Sequence, residues 1–198
     1  MNAKIFKTIL FSAVLLMFYG CETVLFSGKT NAKIKNDVVY QTIQWDANAS
    51  SADVEREFRA FVREALTKHR YKNYVQLFQS NYFMEEGERT YVIKIFKNEQ
   101  EKDLYKRYSD DIISRSIALA SKSFSNRWSQ LQQGMIVEDV YNLLPELADF
   151  NAKQVFYNNR SELQLSDRWL SFDFTGRLLN FGTGNARTSA PRNEEWVF

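Results

Sequence analysis

An α+β fold is predicted by three features of the sequence. Val54, Phe58, Phe61, Val62, Ala65, Leu66 and His69 recur at helical spacing, with Glu55, Arg56, Arg59, Arg63 and Lys68 mostly outside that stripe. Thr90 to Phe96 is rich in β-branched and aromatic residues, and Tyr91, Ile93 and Ile95 share one face of the implied strand. Trp169 to Phe174 and Leu178 to Phe181 flank Thr175-Gly176-Arg177, the pattern of a hairpin with a glycine turn. The chain has 198 residues, 44% hydrophobic and 25% charged, which sustains a packed core and excludes wholesale disorder.

The N-terminus comes first in chain order. Met1 to Lys7 is a short positive region, Ile9 to Tyr19 an apolar run too short to span a bilayer, and Gly20-Cys21 follows at once. Residues 1–20 therefore read as a secretory signal. Phe18-Tyr19-Gly20-Cys21 resembles the bacterial lipobox, in which a small residue precedes a cysteine that is acylated and becomes the mature N-terminus. The aromatic pair Phe18-Tyr19 departs from the usual leucine and small residue. That resemblance implies lipidation at Cys21, with several acyl chains holding the protein on a membrane. Lys4 and Lys7 lie in the signal, so the 24 acidic residues of the remainder meet an equal number of basic ones. A neutral body carries no electrostatic footprint for nucleic acid.

Residues 21–36 lack a sustained period and read as a lipidated tether, with Val24-Leu25-Phe26 as its apolar part. The span 37–122 reads as a β-α-β-β-α unit with its helices on one face of an antiparallel sheet. Val38 to Trp45 is its first strand, Asp46 to Ser50 a turn, and Ser50 with Asp53 a capping box opening the helix. Tyr74 to Phe78 and Thr90 to Phe96 are the next strands, joined through Glu85-Glu86-Gly87-Glu88. A second helix opens near Asn98, with Leu104, Tyr108 and Ile112 four apart, and its pattern extends past Phe124 and Trp128 to Leu131. A helix that long predicts a kink or a hand-over between domains near Ser121–Ser125.

The span 123–184 reads as a second, small helix-plus-antiparallel-sheet unit. Gly134 ends a turn, Val137, Val140, Tyr141 and Leu144 form the stripe of a two-turn helix, and Pro145 closes it. Gln154 to Tyr157 and Ser161 to Leu165 are strand candidates ahead of the glycine hairpin. Gly134-Met135, Val140, Leu143-Leu144-Pro145 and Phe172-Asp173-Phe174-Thr175-Gly176-Arg177-Leu178 resemble the SmpA/OmlA (BamE-like) lipoprotein domain. Ile136 stands where the family has a threonine, and its Gly-x-Pro is shortened to Leu144-Pro145. The match covers under a third of the chain. It implies two helices on a three-stranded sheet, outer-membrane localisation and a non-enzymatic accessory role in β-barrel assembly. Related folds inhibit secreted enzymes.

Catalytic parts are scarce. One histidine and one cysteine exclude an intrachain disulfide and the usual structural zinc site. His69, between Lys68 and Arg70 at a helix end, reads as a macrodipole partner rather than a catalyst. Asp110-Asp111 and Glu85-Glu86 are neighbours that read as solvated acids. Glu162, Asp167 and Asp173 lie on the late hairpins without a calcium-loop spacing. No G-x-S-x-G elbow occurs, and Gly182-Thr183-Gly184 is too short to cradle a phosphate. No catalytic residue, cofactor or metal is expected.

Aromatic residues make up 15% of the chain, and each ring is first a core candidate. Residues 185–198 form a polar tail ending in Trp196-Val197-Phe198, either a docking segment on the body or a peptide offered to a partner through Trp196 and Phe198. The expected function is an acyl-anchored envelope lipoprotein acting as a protein-interaction module in outer-membrane assembly or maintenance. Its partners would be the membrane, through the acyl chains, and an envelope protein. The alternative is a surface-exposed ligand-binding or inhibitor lipoprotein.

Overall fold

The computed structural model describes residues 34–35, 37–46, 48–80, 87–109, 111–150, 152–157 and 160–184. Cys21, the signal, Val24-Leu25-Phe26, Glu85-Glu86, Asp110, Trp196 and Phe198 lie outside the described residues. Among the described residues the fold is α+β, with two antiparallel sheets and intervening helices.

The first sheet contains β1 (Ile34–Lys35), β2 (Val38–Trp45), β3 (Asn73–Gln79) and β4 (Gly87–Phe96), in the order β1-β2-β4-β3. Two residues of the expected tether thus pair with Val38 and Val39. Helix α1 (Ser51–His69) connects β2 to β3. Its start is the predicted capping box: the Asp53 backbone N–H donates to Ser50 Oγ, and the Ser50 N–H donates to Asp53 Oδ2. Its end is Arg70 in the left-handed region at φ 59°, with its N–H turned back to Leu66 and Thr67. Val54, Phe58, Phe61, Val62 and Ala65 of α1 pack on Val39, Ile43, Trp45, Tyr91, Ile93 and Ile95, one face of the sheet.

The opposite face is covered as well, which corrects the expectation of helices on one face only. Val38, Tyr40, Val92 and Phe96 point into a second apolar cluster that also receives Leu163, Leu165, Leu170 and Phe172 from the other sheet. An antiparallel sheet needs one apolar face only if the other meets water; here β4 is apolar on both. Its burial is nearly continuous from Thr90 to Phe96, with Lys94 the half-buried exception.

The long helical stretch after β4 is broken twice, giving α2 (Glu99–Ser109), α3 (Ile112–Leu119) and α4 (Lys122–Trp128). The second break falls at Ser121, within the stretch Ser121–Ser125 where the sequence predicts an interruption, and the Ser121 side chain caps α4 by accepting from the Phe124 N–H. The first break falls at Asp111, which caps α3 by accepting from the Ile113 and Ser114 N–H groups. In α2 the buried ring is Tyr105, while Leu104 and Tyr108 face out.

Gly134 at φ 86° leads to α5 (Val137–Leu143), whose stripe Val137, Val140, Tyr141 and Leu144 is buried as predicted. Pro145 ends it and starts the single turn α6 (Glu146–Asp149). The second sheet is a meander of β5 (Lys153–Tyr157), β6 (Arg160–Leu165), β7 (Arg168–Phe172) and β8 (Leu178–Thr183). It has four strands where the family resemblance implies three. β7 stops at Phe172 because Asp173 turns the chain. Its Oδ1 accepts from Thr175 N–H, Thr175 Oγ1 and Arg177 N–H at 2.9, 2.7 and 2.9 Å. Gly176 sits at φ 84°, and a Cβ there would come within 3.3 Å of Thr90, so this turn needs glycine for its backbone and for its seat on β4. Phe78 and Phe172 meet edge-on across the two sheets, with centroids 5.0 Å apart.

Candidate functional site

The aromatic content is spent largely on the core, as Phe58 stacked on Tyr91 at 4.4 Å illustrates. A few apolar side chains are left outside, and those on α2 border a groove. Its walls are Leu104, Tyr105 and Tyr108 of α2 and Phe150 after α6, with Lys94 and Phe96 of β4, Glu101 and Asp149 completing it. The groove has a volume of about 440 Å³ and opens broadly to solvent.

Each wall has a local cause. Glu101 ties the α2 start, accepting from the Lys97 N–H at 3.0 Å and donating its own N–H to Asn98 Oδ1 at 2.9 Å. Tyr105 is fixed by its hydroxyl, which donates to the Ala148 carbonyl at 2.5 Å, and by Phe96, whose ring lies 5.2 Å away. Tyr108 stacks on Phe150 at 5.8 Å with an interplanar angle of 28°. Lys94 reaches from the central strand to Asp149 Oδ1 at 3.3 Å and passes 5.5 Å from the Tyr105 ring centroid. The groove thus combines four rings and Leu104 with one ion pair and the Glu101 carboxylate.

That composition suits recognition. Leu104 is 63% exposed and Tyr108 48% exposed, so both present apolar area that the fold does not use. Tyrosine with a fixed ring is a good anchor because little rotamer entropy is lost on binding. Nothing in the groove is arranged as a nucleophile with a base. The buried hydroxyls of Tyr40 and Tyr141 have their ionisation pushed well up by desolvation, which keeps them neutral.

The residues weighed from sequence fall elsewhere. His69 lies in the last turn of α1, beside Lys68. Asp111 is a helix cap, and its carboxyl is held below the usual range by the Ser114 backbone and side chain and by Ile113. Asp173 is consumed by its turn. Among the described residues no group of histidine, cysteine and acidic side chains is placed to hold a metal, and no helix is long and apolar enough to cross a membrane. The groove was not visible in the sequence. Leu104 and Tyr108 carried the signal, and the helical stripe assigned them inward.

No protein-family model matches this chain, and no curated protein or solved structure matches it at a significant level.

Proposed function

We propose that the chain is an acyl-anchored envelope lipoprotein that works by binding a protein partner and not by catalysis. The observation that carries this reading is the exposed pair Leu104 and Tyr108 beside Tyr105 and Phe150, apolar area bordering a groove that holds an ion pair. Anchoring rests on the leader and Gly20-Cys21 in the sequence. Outer-membrane localisation and a setting in barrel assembly or maintenance rest on the SmpA/OmlA-like residues, notably Gly134-Met135 and the Asp173 to Leu178 hairpin. A groove at the rim of a tethered body suits an extended or helical segment of another envelope protein, since the tether supplies high effective concentration at the membrane.

The test has two arms. Mass spectrometry of the mature chain should find acyl chains on Cys21, and Cys21→Ser should abolish lipid labelling and leave precursor. Crosslinking from Tyr108 replaced by a photoreactive residue should capture one envelope protein in intact cells. Normal lipid labelling of the serine variant would end the anchored reading, and absence of any crosslink from the groove would end the binding one.

A further inference from the structure

We infer that the outer face of α3 rests on the bilayer that anchors the chain, its aliphatic side chains entering the lipid surface and leaving the α2 groove free for a protein partner. This rests on the anchored reading above.

Helix α3 has the sequence Ile112-Ile113-Ser114-Arg115-Ser116-Ile117-Ala118-Leu119. Its inner side is settled: Leu119 is buried and Ala118 packs on the core. The single charged side chain, Arg115, also turns inward and donates to the Phe150 carbonyl. What remains outside is Ile113, Ser116, Ile117 and, at the C-cap, Ala120, all exposed and spaced three, four and seven apart along one face. Ile113 is 74% exposed and Ile117 71% exposed, the two most exposed large apolar residues among those described. The nearest exposed cations in sequence are Arg107 before the helix and Lys122 after it. Two carboxylates directly precede the helix: Asp111 is occupied as the N-cap, and Asp110 lies outside the described residues.

Lipid suits this face better than a protein does. Protein-binding hot spots are built from tryptophan, tyrosine and arginine in pockets, as at the groove; here the four exposed side chains are isoleucine, serine and alanine, none of them charged. Acyl chains need no directional partner, and aliphatic side chains with cations at the flanks are what an interfacial helix offers them. Two isoleucines bind a membrane weakly on their own. A tether changes that, because the contact becomes intramolecular at the membrane surface.

The geometry allows it. The segment from Cys21 to β1 spans at most about 45 Å when fully extended. The chain joins the sheet at β1, and the turn from β1 to β2 is pinned at Asp37, whose carboxylate accepts from the Tyr71 hydroxyl at 2.5 Å and whose carbonyl accepts from the Ile95 N–H at 2.9 Å. Glu101, in the first turn of α2, acts electrostatically on the same Tyr71. The tether therefore arrives at the sheet end from which α2 departs. α2 is about 16 Å long, so α3 begins well within the tether's reach.

The test places an environment-sensitive dye on Ala120→Cys in the acylated full-length chain, where Cys21 is blocked by its lipid, on vesicles of phosphatidylethanolamine and phosphatidylglycerol. A control carries the dye on Arg59→Cys, on the solvent face of α1. The emission at position 120 should shift to the blue and be quenched by nitroxide-labelled lipid, while position 59 stays aqueous. Adding Ile113→Ser and Ile117→Ser should return position 120 to the aqueous value without changing the melt. A second arm replaces Cys21 by an N-terminal hexahistidine and holds the mature chain on vesicles with a nickel-chelating lipid. A blue shift there supports the membrane face even if Cys21 proves not to be acylated. Aqueous emission at position 120 in either tethered form overturns the proposal, as does shielding that appears only when envelope proteins are added.

Discussion

The side-chain amide of Gln154 closes a two-point bond on the backbone of Gln79: its Oε1 accepts from the Gln79 N–H at 3.2 Å and its Nε2 donates to the Gln79 carbonyl at 2.7 Å. Gln79 is the last residue of β3, an edge strand. The next residue, Ser80, already donates its N–H to Thr90 in β4, so the Gln79 groups fall on the open side of the ladder. Gln154 supplies what another strand would, and Ser161 Oγ adds a third bond, donating to the same carbonyl at 3.0 Å. One side chain thus blunts the end of an edge and joins the two sheets.

Gln154→Leu keeps the volume but leaves both Gln79 groups with fewer partners in a half-buried place. The expected cost is about 1–3 kcal/mol, the range for stranding buried polar groups. Urea unfolding should show the loss in the midpoint with the slope unchanged. Gln154→Glu should fall between, since its carboxylate can still accept from Gln79 but cannot donate.

Gly182 lies opposite Trp169 in the β7–β8 ladder, and a Cβ at Gly182 would fall 2.9 Å from the indole ring. The ring covers the glycine, a known way of protecting a bare strand position. Gly182→Ala should force Trp169 off its site and cost about 1–3 kcal/mol, whereas Gly184→Ala meets no atom within 4 Å and carries only the strain of φ 88°. Thermal melts of the two variants, with Trp169 fluorescence, separate overpacking from backbone strain.

Val140 and Phe172 are both fully buried and belong to the cluster shared by the two sheets. Aspartate at either leaves an unpaired charge in an apolar place, costing several kcal/mol. Each variant should unfold both sheets together, read as loss of near-ultraviolet circular dichroism. Val140→Ala, which only opens space, should cost less and leave a cooperative transition.

Two caps give the fold a defined acid response. Asp53 is held below the ordinary carboxylate range chiefly by its bonds with Ser50, and Asp111 chiefly by the backbone and hydroxyl of Ser114. A folded-state value below the unfolded one means the stabilisation is fully present above the unfolded value and is lost as pH falls through the folded one. Wild type should therefore weaken on acidification below about pH 4. Asp111→Asn keeps an acceptor without a charge, so its melting temperature should fall less steeply over the same window.

How much of this was legible follows from where the information lies. The helix from Ser51 was readable because its cap and five buried apolar positions agree, and the Val137 to Leu144 stripe because Gly134 and Pro145 punctuate it. The α2 register was not, because Leu104 and Tyr108 fit the stripe as well as Tyr105 does. What decides it is the Tyr105 hydroxyl meeting the Ala148 carbonyl, a partner 43 residues away. The Gln154–Gln79 bond is equally silent in sequence, a pairing across 75 residues between two ordinary glutamines. The groove inherits that difficulty, since it forms only when α2, β4 and the turn at Phe150 come together.

The groove and the C-terminal rings make separable predictions for partner binding. Leu104 and Tyr108 are exposed, so Leu104→Ser with Tyr108→Ser should leave the melting temperature nearly unchanged. If Tyr108 is the anchor of the site, binding of the crosslinked partner should weaken by about 2 kcal/mol, roughly thirtyfold in Kd. Lys94→Met removes the partner of Asp149 and should weaken binding less, because a rim ion pair contributes little. Removal of residues 186–198, with Trp196 and Phe198, is the companion variant. Weakened binding on truncation, with the melt unchanged, makes the tail a second contact for the partner. A lower melting temperature with binding intact makes it a clasp on the body. Titration calorimetry on the three variants beside wild type distinguishes these outcomes, and full affinity in the Leu104 and Tyr108 double variant would remove the groove from the interface.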